Sequence, residues 1–317
     1  MEKNINNIKK EFKANGIFYT PPELVETMKS YVDFEPRRVY DPTCGQGNLL
    51  AAFPDNVEKY GQELYQDELD KASERLTNFH GYCGDTLKAD GFKGELFDCI
   101  MANPPFSVKW EPQNDDIRWA DAPCTAPPGK ADFAFVCHVL HHLADDGKAV
   151  VMCFPGILYR GQREGKIRQW MVEQNFVERV VHIPGGAFTD TTIATAVLVL
   201  SKHKQNTDII FENREIGKER TVTIEEVKSN DYNLSVTNYV FEEQKKEEID
   251  PVALEMEARR LMMFNLENKL RLTVLASAFE NLDSDSLIDD IIALAEKYRT
   301  GGEGWREMRA VYPGDVA

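Results

Sequence analysis

Short apolar runs alternate with amphipathic stretches along most of this chain, and that alternation restricts the folds open to it. Arg37 to Tyr40, Val57 to Gln62, Leu96 to Met101, Gly147 to Phe154, Val177 to Ile183 and Ala194 to Leu200 read as strands. Between them, Asp67 to Phe79, Ala131 to Leu143 and Gly165 to Gln174 carry helical periodicity. Strands apolar on both faces, each followed by a helix, predict an α/β fold with a mostly parallel sheet covered on both sides. Ile5 to Lys13 and Glu23 to Val32 read as helices upstream, the second opened by Pro21-Pro22 in the tolerated first turn. Leu49-Leu50-Ala51 reads as an apolar helix start. Ser107 to Gly129 is a long proline-containing loop without a period, and no internal repeat is present.

Asp41-Pro42-Thr43-Cys44-Gly45-Gln46-Gly47-Asn48 lies in the first turn from strand to helix. Glycines there let the backbone approach a nucleotide-like ligand closely. The spacing matches neither the dinucleotide nor the P-loop pattern, and no Lys-Ser/Thr pair follows to hold a phosphate, so the turn suits a ligand without phosphates. Glu63 ends the next strand, where a carboxylate can accept both hydroxyls of a ribose. Asp85 ends the strand after that and can accept from an adenine amino group. Either acid alone would read as a solvated strand end; their repeated position gives them meaning.

The run Leu96 to Met101 leads into Asn103-Pro104-Pro105-Phe106. An aryl amine is a poor nucleophile because its lone pair is delocalised into the ring. Two acceptors, the Asn103 side-chain oxygen and the Pro104 carbonyl, can bind its two hydrogens and free that lone pair, while the prolines fix the aim of the carbonyl. Phe106 can stack on an extruded base.

At this motif the sequence resembles the amino-methyltransferases that act on adenine in DNA. Phe18-Tyr19-Thr20-Pro21-Pro22-Glu23, upstream of the Gly-rich turn, resembles the segment that packs over the methionine part of the cofactor in enzymes of the gamma arrangement. Lys130 to Phe135, Arg160-Gly161, Glu164 to Arg168, Phe188 to Ala196, Tyr232 to Ser235 and Asn238 to Val240 look like the modification subunit of type I restriction–modification systems. The resemblance implies a Rossmann-like S-adenosylmethionine-dependent methyltransferase fold with a mostly parallel seven-stranded sheet. It implies S-adenosylmethionine as cofactor, bound by Tyr19, Thr20, Pro21, Asp41, Thr43, Gly45, Gly47, Asn48, Glu63, Asp85, Thr86 and Asn103. Catalysis falls to Asn103, Pro104, Pro105 and Phe106, and Phe188 is a second aromatic wall for the base. Asn48 departs from the family, which has a third glycine there; it either crowds the carboxylate end of the cofactor or donates to it.

The 317 residues suffice for one large domain and an appendage, and 42 % hydrophobic content supports a real core. The division falls at a charged linker: residues 1–241 read as the catalytic domain and 242–317 as a helical extension for docking or oligomerisation. In the extension Asp250-Pro251 caps a long helix to about Phe279, with Val252, Met256, Met263, Leu266 and Leu270 as an apolar stripe. A second helix, Ser286 to Tyr298, carries Leu287, Ile291, Leu294 and Tyr298. Six scattered cysteines without a C-x-x-C pair, a polar Met1 to Lys13 and no apolar run of about 18 residues indicate a reduced, cytoplasmic protein outside the membrane. His138, His141 and His142 share a helix, but no carboxylate or cysteine at ligand spacing joins them, so no metal is expected.

A net charge of −16, spread over both halves, is unlike a module that binds DNA alone. About 40 residues separate Leu200 from the tail, too few for a groove-reading domain of the usual size. The expected partners are therefore double-stranded DNA, a specificity subunit that reads it, a restriction subunit, and a second copy of this chain. Two other readings stand beside this one. Release-factor glutamine methylases and RNA enzymes use a related motif, against which Phe106 and Thr20-Pro21-Pro22 argue. A catalytically silent DNA-associated subunit would have no need for an intact Asn103 to Phe106.

Overall fold

The computed structural model describes residues 20–186, 194–242, 250–280, 284–297 and 299. The chain divides into two compact units, residues 1–242 and 243–317. The expected helix Ile5 to Lys13 lies outside the described residues, as do Tyr19 and Phe188.

The first unit holds strands β1 (Arg38–Asp41), β2 (Glu58–Glu63), β3 (Phe79–Cys83), β4 (Phe97–Ala102), β5 (Leu143–Cys153), β6 (Val177–Ile183), β7 (Thr195–Ser201), β8 (Ile209–Asn213) and β9 (Lys218–Val222). They form one sheet in the order β3-β2-β1-β4-β5-β7-β6-β8-β9. Strands β3, β2, β1, β4 and β5 run parallel to one another, and β7 lies antiparallel between β5 and β6. Its helices are α1 (Pro22–Lys29), α2 (Gln66–Arg75), α3 (Asp132–His142), α4 (Gln162–Glu173) and α5 (Ile224–Ser229).

Successive strand residues point to opposite faces, so each apolar run feeds two cores. Tyr40, Ile100, Ala102, Val151 and Leu198 pack with Phe133 of α3 on one side. Val39, Cys99, Met101, Val150 and Val197 pack with Leu24 and Met28 of α1 on the other. The strand order reverses between β1 and β4, which are hydrogen-bonded neighbours. A crevice opens outside the carboxyl ends of strands at such a reversal, and ligands of open α/β sheets bind there. Asp41 and Asn103 stand at these two ends.

The sheet is wider than the seven strands expected, because β8 and β9 extend it beyond β6. Four of the five β9 residues are exposed, so this edge strand carries no apolar pattern to read. Leu49-Leu50-Ala51 does not start an α-helix; only a 3-10 turn, Leu50–Ala52, forms. Pro54 explains this: a proline disfavours helical backbone in the residue before it, and Phe53 is extended at φ −103°, ψ 145°. The helix expected to reach Phe79 ends at Arg75. Leu76 turns extended, Asn78 takes a left-handed φ of 52°, and Phe79 joins the sheet opposite Lys59.

The second unit contains α6 (Pro251–Glu280) and α7 (Ser284–Lys297). The Asp250 carboxylate accepts from the Val252 amide at 2.9 Å, the expected cap. Its apolar side chains are not confined to one stripe: Leu254, Leu261, Met262, Phe264 and Leu272 stand exposed along with Val252, Met256, Met263 and Leu266. Among the described residues no helix is long and apolar enough to cross a membrane.

Candidate active site

A cavity of about 730 Å³ opens at the crevice, lined by Thr43, Gly45, Glu63, Asp85, Thr86 and Asn103 together with Pro105, Trp110 and Phe135. That size falls in the roughly 300–1,000 Å³ range of small-molecule sites. A smaller recess beside it is lined by Thr20, Asp41, Asn48 and, again, Thr43, Gly45 and Asn103.

The Gly-rich turn is shaped by two carboxylates. Asp41, buried at the end of β1, accepts from the Thr43 amide at 2.9 Å. Burial raises its pKa to about 7, against the lowering effect of the Thr43 hydrogen bond. Glu63 accepts from the Gly45 amide at 2.9 Å through one oxygen and from the Tyr65 amide at 3.1 Å through the other. Burial also raises its pKa, with the backbone amides pulling the other way. Gly45, at φ 50°, has open space where a side chain would stand, which leaves its backbone accessible to a ligand. Gly47 serves packing instead: at φ 75°, a Cβ would meet the Leu76 side chain at 2.5 Å.

Thr20, at the N-terminal side of α1, connects both sides of the crevice. Its hydroxyl accepts from the Asn103 amide nitrogen at 3.2 Å, and its carbonyl accepts from the Asn48 amide nitrogen at 3.2 Å. Asn48 accepts from the Arg75 guanidinium through its oxygen. Its amide group is thus engaged on both sides, which is what the residue does in place of a glycine. Because Thr20 takes the Asn103 nitrogen, the Asn103 oxygen is the end of that amide left to accept from a ligand. Pro104 is buried and Pro105 half-buried. Phe106 is half-buried, 6.5 Å from the Phe154 ring, and does not line the main cavity. Pro21 precedes α1 and lines neither recess.

The far wall comes from the segment that reads as a featureless loop. Trp110 and Trp119 pack edge to face at 5.2 Å, both buried. Arg118, almost fully buried, is the anchor of this wall. Its guanidinium donates to the Thr86 carbonyl, to the Leu87 carbonyl at 3.1 Å and to Asp116 at 2.6 Å. Burial raises the Asp116 pKa, but the Arg118 hydrogen bonds and charge more than offset this and hold it below the carboxylate range. Arg118 also meets His138 Nδ1 at 3.1 Å. A guanidinium only donates, so Nδ1 accepts and Nε2–H faces the Tyr40 hydroxyl at 2.9 Å. Burial keeps that imidazole well below its usual pKa, consistent with a neutral ring. Thr86 donates its hydroxyl to the Pro42 carbonyl, so it ties two walls together as well as lining the cavity. Periodicity and motif reading missed Trp110 and Arg118, for which the paired tryptophans in a polar segment were the one available signal, and placed Phe135 in a motif and on a helix without giving it a part in the site.

The arrangement fits a nucleoside-bearing cofactor. An open glycine backbone and two strand-end acids face a cavity of the right volume, and the two lysines that line it, Lys88 and Lys109, are outnumbered by the carboxylates of Glu63, Asp85 and Glu111. No carboxylate stands at ligand spacing from the helix histidines in the sequence, but the fold brings Asp90, distant in sequence, to 3.1 Å from His142.

Among known proteins, the type I restriction enzyme MpnII methylase subunit of Mycoplasma pneumoniae is 30 % identical over 75 % of this chain and 55 % of its own length. The type I restriction enzyme HindI methylase subunit of Haemophilus influenzae is 27 % identical over 78 % of this chain and 68 % of its own. The solved type I restriction–modification methyltransferase subunit of Streptococcus thermophilus is 29 % identical with a TM-score of 0.65, covering 70 % of this chain and 59 % of that one. The chain spans little more than half the length of the first of these relatives. The sheet and its switch point are those of the Rossmann-like S-adenosylmethionine-dependent methyltransferase fold. A sequence profile of the N-6 DNA methylases matches residues 2–221, about two thirds of the molecule, and the chain belongs to that family.

Proposed function

We propose that this chain is a site-specific DNA methyltransferase that methylates the exocyclic N6 amino group of adenine, as the modification subunit of a type I restriction–modification system. The observation that carries this reading is the Asn103 amide, held by Thr20 at the carboxyl end of β4 with its oxygen left to accept. S-adenosylmethionine, when bound, supplies an electrophilic methyl group. Asp41 and Glu63 hold the Gly-rich backbone in shape, and Glu63 and Asp85 offer acceptors to the ribose and the adenine of the cofactor. The Asn103 oxygen and the Pro104 carbonyl accept the two hydrogens of the target amine and localise its lone pair on nitrogen. Phe106, backed by Phe154, stacks on the extruded base. The family match and the restriction-enzyme relatives support this reading over protein, RNA or catalytically silent alternatives.

Removing the acceptor tests it. Asn103→Ala keeps affinity for S-adenosylhomocysteine but loses methyl transfer by about 10²–10³-fold, the scale of one lost transition-state hydrogen bond. Mass spectrometry of digested DNA shows methyladenine for the unaltered chain. Near-normal transfer by Asn103→Ala, or methylcytosine as product, overturns the assignment.

Recognition of a DNA sequence falls to a separate specificity subunit, consistent with the −16 charge and with what the relatives are. Residues 242–317 are the docking element, and their exposed apolar side chains suit helix–helix association. Deleting Glu247 to Ala317 leaves cofactor binding intact and abolishes co-purification with a specificity subunit. Efficient methylation of a defined sequence by the purified chain alone rules out the division of labour.

A further inference from the structure

The side of the first unit formed by the end of α3 and the segment after β3 holds a cluster that the reaction does not use. Among the described residues, Asp90, His141 and His142 are the one group of three or more such side chains able to hold a metal, with donor atoms all within 4.8 Å of one another.

The histidine tautomer shows why the cluster needs a positive charge. His142 Nδ1 lies 2.8 Å from the Glu95 carbonyl oxygen. A carbonyl only accepts, so Nδ1 carries a proton. Nε2 is then the ring's basic nitrogen. It is fully buried, has no hydrogen-bond partner, and faces the Asp90 carboxylate at 3.1 Å. Two lone-pair atoms so placed repel unless a cation sits with them. A proton on Nε2 would serve that pair as a simple ion pair; a metal ion would also use the third donor atom that His141 brings to the cluster. Its ring stands edge-on to His142 at 5.2 Å, half-exposed, on the solvent side of the cluster.

We propose that Asp90, His141 and His142 bind one divalent transition-metal ion. Two imidazoles and a carboxylate suit zinc, whereas magnesium and calcium prefer all-oxygen shells. At a tetrahedral ion, bonds of about 2.0–2.2 Å set donors about 3.3–3.6 Å apart. Asp90 and His142, at 3.1 Å, are already close to that spacing, and the half-exposed His141 ring, within 4.8 Å of them, swings inward to complete the shell. Their supports are in place: Glu95 fixes the His142 tautomer, as outer-shell carbonyls do at metal sites. Asp90 accepts from the Phe92 amide at 3.2 Å. The segment before it is pinned by buried Gln62, which donates to the Ala89 carbonyl at 2.7 Å and accepts from the Gly91 amide at 3.2 Å. The nearby Arg118 charge is neutralised by Asp116.

The ion is a brace. Asp90 closely follows Asp85 to Lys88, which wall the cofactor cavity. His141 and His142 end α3, whose first residue, Asp132, accepts from the Ser107 amide just after Phe106. One ion would thus tie the cofactor wall to the helix that positions the catalytic turn.

The test uses the full chain, freed of metal by a chelator and titrated with Co²⁺ and with Zn²⁺. The expected result is one Co²⁺ per chain with absorption of nitrogen–oxygen ligation, and a melting temperature raised by Zn²⁺. Asp90→Asn and His141→Ala each weaken binding by roughly 100-fold or more, above the about 10–100-fold typical of losing an outer-shell partner. His141 is half-exposed, so its replacement leaves the core intact and the test decisive. Absence of saturable binding at micromolar metal overturns the proposal. So does a thiolate-to-cobalt band that survives in both variants, which would place the metal on cysteines such as exposed Cys83.

Discussion

The two walls of the cavity at the crevice are built on opposite principles. The Gly-rich wall is local: Asp41 and Glu63 reach amides of the turn beside them, and Gly45 supplies the backbone angle. The opposing wall is a long segment without regular pairing, held by Arg118 reaching carbonyls more than thirty residues away in sequence. A turn shaped by its own neighbours tolerates loss of one bond. A segment hung on one buried guanidinium does not.

The strongest test of that contrast is Arg118→Met, which keeps the bulk but strands Asp116 and two buried carbonyls. Urea unfolding should show a loss of about 3–5 kcal/mol, the cost of breaking a buried ion pair from one side. A loss under about 1 kcal/mol would mean that Trp110 and Trp119 hold the wall instead.

Next comes the pH dependence of the local wall. Asp41 has a folded pKa of about 7, above the ordinary value near 3.8. The folded state therefore binds more protons than the unfolded one between these values. The contribution is fully present below about pH 4 and is lost as pH rises through about 7. Asp41→Asn keeps the acceptor for Thr43 but cannot ionise. Its stability relative to the unaltered chain should climb by on the order of 2–4 kcal/mol from pH 4 to 8 and then level off. A flat difference would show that Asp41 ionises freely in its site.

Glu63→Ala removes the clasp on Gly45 and the proposed ribose acceptor. Calorimetry with S-adenosylhomocysteine should show binding weaker by about 1.5–3 kcal/mol, with the fold retained. Unchanged affinity would sever Glu63 from the cofactor. The smallest effect is expected at Thr20, which links Asn48 and Asn103. Thr20→Val keeps the packing but frees the Asn103 amide to rotate. It should lower kcat by about 0.5–1.5 kcal/mol in barrier terms without altering cofactor affinity. A matching loss of affinity would assign Thr20 to cofactor binding.

The same contrast explains what could be read from the chain alone. Asp41 to Asn48, Glu63 and Asn103 to Phe106 are short motifs whose chemistry is visible in consecutive residues. The strands β4, β5 and β7 carry continuous buried apolar runs, and β6 keeps Val177, Val180, Val181 and Ile183 buried, so their existence and order of appearance were legible. Arg118 was not, because a buried arginine looks like a surface one until its distant carbonyls are in place. Asp90 and His142 are separated by an intervening strand, loop and helix, so no spacing rule finds them. β9 was missed because exposure removes the alternation that marks a strand, whereas β8 does alternate, with Ile209, Phe211 and Asn213 buried, in a run of only five residues. Phe53 shows the remaining kind of error: an apolar run suggested a helix, and one proline after it forbade one.

The wide sheet ends at β9, whose Lys218, Glu219 and Arg220 are exposed. Glu219 pairs with Arg179 at 2.6 Å, and the Arg220 guanidinium donates to both carboxylate oxygens of Glu226, at 2.8 and 2.9 Å. An open strand edge invites another chain to add itself, and charged side chains resist that addition. A protein with a mixed sheet this broad, rich in pairings between strands distant in sequence, exposes its strands during slow assembly, when self-association competes with folding. The last strand to be made is thus also a stopper, setting the width of the sheet and keeping neighbouring molecules from extending it.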